Sequence, residues 1–167
     1  MHGLGPPFRA IGFLLSSVGH AVSLGFTQQL APLGIEPREF ALLRVVGQEE
    51  GRTQQAVGED LGVHPSRMVS LVDGLEARGM IERRPHPLDR RARALHLTDA
   101  GRRLLGEAYA AGSAFERHLI AGLDEGECET LRDALESMLA RLAVPPGVHA
   151  AHLDGVATGD GAPAERT

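Results

Sequence analysis

Between Gly79 and Thr98 the apolar residues change their spacing. Met68, Val69, Leu71, Val72 and Leu75 recur at helical intervals, whereas Arg93-Ala-Leu-His-Leu97 alternates, with Leu95 and Leu97 on one side. One short hairpin, Ile81 to Arg84 paired with Arg93 to Leu97 across the charged loop Pro85 to Arg91, is therefore expected in a chain that otherwise reads as helix. The 167 residues are expected to form one domain with extensions, at roughly 100 to 200 residues per domain. A large catalytic barrel does not fit in that length. With no Trp, one Tyr and five Phe, the core must be filled by Leu, Val and Ala. The single cysteine, Cys128, excludes a disulfide scaffold and a thiolate metal cluster.

Around the hairpin the helices can be bracketed by their punctuation. Phe8 to Leu30 places Ile11, Leu14, Leu15, Val18, Val22 and Phe26 at near-helical intervals, and Pro32 and Gly34 end it. Pro37 suits the first turn of a second helix carrying Phe40, Leu42, Leu43 and Val46. Thr53 can cap a third helix reaching Leu61, Gly62 permits a turn, and Pro65 or Ser66 starts a fourth running to about Arg78. Gly79 sits where a left-handed helix end needs glycine. Thr98 caps a long fifth helix to about Leu119, in which Gly101, Gly106 and Gly112 either weaken the helix or permit close packing, the latter attractive between subunits. Leu123-Asp124 restarts a sixth helix with a stripe of Leu131, Leu135, Met138, Leu139 and Leu142, stopped by Pro145-Pro146-Gly147. The expected divisions are a tail and helix over 1–34, a helix-and-hairpin unit over 35–97, two further helices over 98–144 and a disordered tail over 145–167.

Charge is distributed unevenly. All 17 basic residues are arginines against 22 acids, a formal net charge of -5, which argues against a general polyanion binder. Yet Ile81 to Arg93 holds five arginines (Arg83, Arg84, Arg90, Arg91, Arg93) and two acids, locally +3, while Glu116 to Glu136 is locally -5. Short helix, turn, second helix and charged hairpin together resemble a winged helix-turn-helix, whose physical use is to set one helix in a major groove while the hairpin approaches the backbone or minor groove. The fold class expected is mainly α: a winged helix-turn-helix with a short β-hairpin and flanking N- and C-terminal helices.

The combination Leu75-Glu-Ala-Arg-Gly79, Asp89-Arg-Arg91 and Leu97-Thr-Asp-Ala-Gly101, with Thr53-Gln54 upstream, resembles the MarR family of transcriptional regulators over about Pro37 to Leu105. The resemblance implies a homodimer on pseudo-palindromic double-stranded DNA, a repressor released by a small-molecule effector, often a small aromatic or phenolic compound. It maps the recognition helix onto Ser66 to Val72 and the wing tip onto Asp89, Arg90 and Arg91. The DNA-binding residues expected are Thr53, Gln54, Ser66, Arg67, Ser70, Arg83, Arg84, Arg90 and Arg91, with Asp89 orienting a wing arginine. Leu131, Leu135, Leu139 and Leu142 are the expected dimerisation stripe. Val69 stands where a hydroxyl residue is frequent in the family, and Ser70 and Gly74 where basic residues are common. Cys128 lies far from the N-terminal sensor cysteine of the organic-peroxide branch, which disfavours peroxide sensing.

Other classes have less to stand on. No Gly-x-Ser-x-Gly, phosphate-cradling loop or nucleophile, base and acid set is present, so neither catalysis nor a cofactor is expected. His86, Asp89 and His96 are the nearest approach to a metal set, and exposed polar positions explain them more simply. Either His20 or Tyr109 can border an effector cavity, though neither carries a signature for one. A winged helix used for protein interaction without specific DNA binding is the alternative. No membrane-spanning segment of about 20 apolar residues is found, and a cytoplasmic location is expected.

Overall fold

The computed structural model describes residues 9–89 and 92–142. Six helices and one hairpin follow in order: α1 (Ile11–Leu30), a 3-10 turn (Ala31–Leu33), α2 (Pro37–Gln48), α3 (Gln54–Leu61), α4 (Pro65–Ala77), β1 (Ile81–Pro85), β2 (Arg93–Leu97), α5 (Asp99–Leu119) and α6 (Glu125–Arg141). The mainly helical fold with a small antiparallel hairpin and flanking helices is as expected. α1 starts at Ile11, and the expectation for Phe8 falls outside the described residues, as does that for the tail over 145–167.

Local chemistry accounts for where the elements start and stop. Pro37 occupies the first turn of α2, and Glu36 and Glu39 close a capping box in front of it. The Thr53 hydroxyl accepts from Ala56 N at 3.2 Å, and Asp124 and Glu127 form the box that starts α6. Gly62, at φ 61°, turns the chain between α3 and α4 in the left-handed region that other residues avoid.

The core sits between α2, α3, α4 and the hairpin. Leu42, Leu43, Val46, Val57, Met68, Val72, Leu75, Ile81, Leu95 and Leu97 are buried together, with Leu104 and Leu105 of α5 closing one side. β1 and β2 pair Ile81 with Leu97, Arg83 with Leu95 and Pro85 with Arg93. Ala94, on the opposite face to Leu95, is buried too. Its cover is the segment before α3: Gly51 N donates to Leu95 O, Leu95 N to Arg52 O, and Thr53 bridges to Ala94. β2 is therefore held on both edges at its root.

A smaller cluster joins the ends of α1 and α2 to α5. Leu30, Ile35 and Ala108 are buried there with Phe26, Leu33 and Phe40 against them. The Phe26 and Phe40 rings meet edge to face at 5.5 Å, and Phe40 meets Tyr109 in the same way at 5.5 Å. Beyond this junction both arms are bare. Leu30 is the buried residue of α1 and α6 has none, leaving Ile11 64% and Leu142 71% exposed. Among the described residues, no helix is long and apolar enough to cross a membrane.

Candidate nucleic-acid interface

α4 is amphipathic, and its two faces are composed differently. Met68, Val72 and Leu75 are buried, while Ser66, Arg67, Val69, Ser70, Asp73 and Gly74 are exposed. His64 caps the helix: its Nδ1 accepts from Ser66 N at 3.4 Å and lies 2.9 Å from Ser66 Oγ. Ser70 Oγ donates back to Ser66 O at 3.3 Å. Of the residues chosen from the sequence, Ser66, Arg67 and Ser70 thus share the outward side of the first two turns of α4.

Arg83 holds this helix against the wing. Its guanidinium pairs with Glu76, donates to Asp73 Oδ1 at 2.6 Å and to Gln54 Oε1 at 3.0 Å, while its backbone N–H reaches Glu76 Oε1 at 3.2 Å. One planar fork therefore ties β1 to both α3 and α4, a geometry suited to arginine rather than lysine. Asp73 and Glu76 were not singled out by the sequence reading. Their signal was two acids three residues apart on the helix that enters a basic hairpin. Arg84 pairs with Glu82 beside it, and Arg93 is exposed at the start of β2. Among the described wing arginines, Arg83 and Arg84 are thereby engaged within the chain.

At the hairpin's far end, Ala92 N donates to Asp89 O at 3.1 Å and His86 N to Ala92 O at 3.2 Å. Asp89 is exposed. Arg90 and Arg91 lie outside the described residues. His86 Nδ1 accepts from Leu88 N at 3.3 Å, whereas His96 faces Glu50 at 3.3 Å, so the two rings serve different neighbourhoods. Among the described residues no group of three or more His, Cys, Asp or Glu is placed to hold a metal ion.

Two further clusters fix the base of the wing. Glu50 accepts from Arg102 of α5 and from Leu97 N at 3.4 Å, and the Arg102 hydrogen bond holds its carboxyl below the usual range. Arg52 donates to Asp60 and to Ala56 O at the start of α3, which lowers the Asp60 carboxyl in the same way. At the other end of the molecule, Leu131, Leu135, Leu139 and Leu142 line one side of α6 in contact with solvent.

Comparison with known proteins gives this geometry a context. A family model described as the MarR family matches residues 33–92. The structure of CouR from Rhodococcus jostii RHA1 bound to p-coumaroyl-CoA is similar at 35% identity, over 84% of this chain and 96% of that one, with a TM-score of 0.67. The transcriptional repressor CouR bound to a 23-mer DNA duplex is similar at 32% identity, over 84% and 99%, with a TM-score of 0.70. A MarR-family transcriptional regulator from Rhodococcus sp. RHA1 shares 34% identity over 78% and 95%, with a TM-score of 0.66. A curated relative from Thauera aromatica, named for regulation of the hcr operon, is 30% identical over 105 residues; the chain spans 63% of that relative's length, with 63% of its own.

Proposed function

Because the chain belongs to the MarR family of winged helix-turn-helix, DNA-binding transcriptional regulators, we propose that it is a homodimeric repressor of a pseudo-palindromic operator, released by a small aromatic or phenolic effector. The observation that carries the DNA side of this reading is the outward face of α4, Ser66 to Ser70, with the wing strand fastened beside it through Arg83. Arg67 is the side chain there best suited to a guanine edge, and the helix N-terminus favours phosphate. With its oxygen accepting from Arg83, Gln54 would donate through its amide NH2 to the DNA backbone, next to Thr53. Arg90 and Arg91 supply wing-tip charge, Asp89 orients one of them, and Arg84 adds to the backbone field.

Homodimerisation is supported by the bare apolar arms. A second copy would cover Leu131, Leu135, Leu139 and Leu142 and set two α4 helices about one turn of DNA apart. The effector reading is supported by the Phe26, Phe40 and Tyr109 edge-to-face chain, whose Tyr109 ring is 45% exposed at the meeting of α1, α2 and α5. CouR, a relative, binds p-coumaroyl-CoA, whose acyl group is a phenol. A ligand seated at this junction would favour one separation of the two α4 helices over another.

Selection of duplexes on the purified chain at moderate salt tests the reading. The expected result is a two-half-site motif whose affinity falls when Arg90 and Arg91 are replaced by Ala and when p-coumaroyl-CoA is added. Binding with neither sequence preference nor salt dependence would instead favour the protein-interaction alternative.

A further inference from the structure

The outward stripe of α4 has a composition with a chemical consequence. Ser66, Ser70, Asp73 and Ala77 follow one another at three- and four-residue intervals, with Val69 three residues after Ser66, and share one side of the helix. Their polar groups are engaged within the chain. Ser66 Oγ lies 2.9 Å from His64 Nδ1, Ser70 Oγ donates to Ser66 O, and Asp73 accepts from Arg83. An aspartate in a groove otherwise reads the amino group of cytosine. Here the Arg83 guanidinium holds that carboxylate. Gly74, one position round, adds no side chain, and a Cβ there would meet nothing within 4 Å. At the edge of the stripe nearest α3 stands Val69, 45% exposed, an apolar side chain beside neighbours that have their hydrogen bonds made.

An isolated exposed valine is ordinary on a protein surface. This one flanks the outward face of α4, the helix that the DNA-binding reading sets in the major groove. The major-groove edges of the bases carry donors and acceptors, and their one apolar group is the C5 methyl of thymine. From this we propose that Val69 is a specificity-determining residue that selects thymine in each operator half-site by packing against its C5 methyl. The inference rests on the DNA-binding reading above and adds to it a base identity and the side chain that reads it. It separates two tasks along α4: Arg67 contributes a charged hydrogen-bond donor near the N-terminus, and Val69, two residues on, a desolvated apolar contact.

Deoxyuridine tests this directly, because it removes the methyl and keeps every hydrogen-bonding group of thymine. With the full chain and the duplex obtained by selection, each half-site thymine is replaced in turn. Loss of one buried methyl contact is expected to weaken binding about fourfold, and about sixteenfold when both half-sites are changed and the effects add. Val69→Ala should bind the thymine and deoxyuridine duplexes equally, with an unchanged melting temperature. Val69→Thr, which keeps one methyl, should retain a preference for thymine. The proposal is overturned if selected half-sites contain no thymine, if deoxyuridine is tolerated at every position, or if Val69→Ala still prefers thymine. Failure to select any motif would overturn it by a different route, since the DNA-binding reading would fall with it.

Discussion

At Gly101 the absence of a side chain is a packing requirement. The fifth helix starts against the turn that leaves α4, where Thr98 donates to Gly79 O at 2.6 Å and accepts from Gly101 N at 3.0 Å. A Cβ on Gly101 would run into the Met80 carbonyl, a backbone group that cannot swing aside. Gly101→Ala is therefore expected to cost about 2 kcal/mol by overpacking, whereas Gly106→Ala, whose Cβ meets nothing within 4 Å, should stabilise by about 1 kcal/mol. Urea unfolding of the two variants would contradict this if the order were reversed. Arg83 makes a second prediction at this scale. A phosphate-binding arginine contributes about one unit to the salt dependence of DNA affinity. Arg83, engaged with Glu76, Asp73 and Gln54, should instead leave the salt slope unchanged on substitution to Gln while narrowing the gap between selected and scrambled duplexes.

Helix ends and the hairpin were readable because each is marked by a residue with one physical job. Thr53, Gly62, Pro65, Gly79, Thr98 and Asp124 all stand at the boundaries expected of them. Contacts between elements were less legible. The pairing of Gly51 to Thr53 with β2 is a single bridge with no alternating pattern to announce it, so the burial of Ala94 could not be read in advance. Of the two roles the sequence leaves open for these glycines, Gly101 takes close packing, and it does so within the chain against Met80. In the interface, Ser66, Arg67 and Ser70 were found from helix position, while the Arg83 partners depend on how β1 lies across α4, which spacing alone does not encode. Glu50 belongs to this scale because it joins the loop after α2 to β2 and α5. Its folded carboxyl titrates below the unfolded value, so its contribution to stability is complete above about pH 4.3 and is lost as pH falls through the folded value. Glu50→Gln should flatten the acid side of a stability profile measured from pH 3 to 7 and leave the neutral side lower by about 1 kcal/mol.

In the whole molecule, the buried core and the bare arms are separate. Leu135→Glu with Leu139→Glu places charge on the exposed stripe of α6, where no residue is buried in the single chain. The double variant should keep its far-ultraviolet circular dichroism, halve its mass in solution and lose most operator affinity, because two linked half-site contacts become independent. A dimer of unchanged mass would remove α6 from the association surface. The fastening of α4 has a consequence for how such a regulator can change. Asp73, Glu76 and Arg83 hold the helix in place, while Ser66, Arg67, Val69, Ser70 and Gly74 face outwards from it. On the proposed reading, address and anchorage are thus written in different residues, and exchanging the outward set alone is expected to retarget the chain to a new operator without reopening the question of whether it folds.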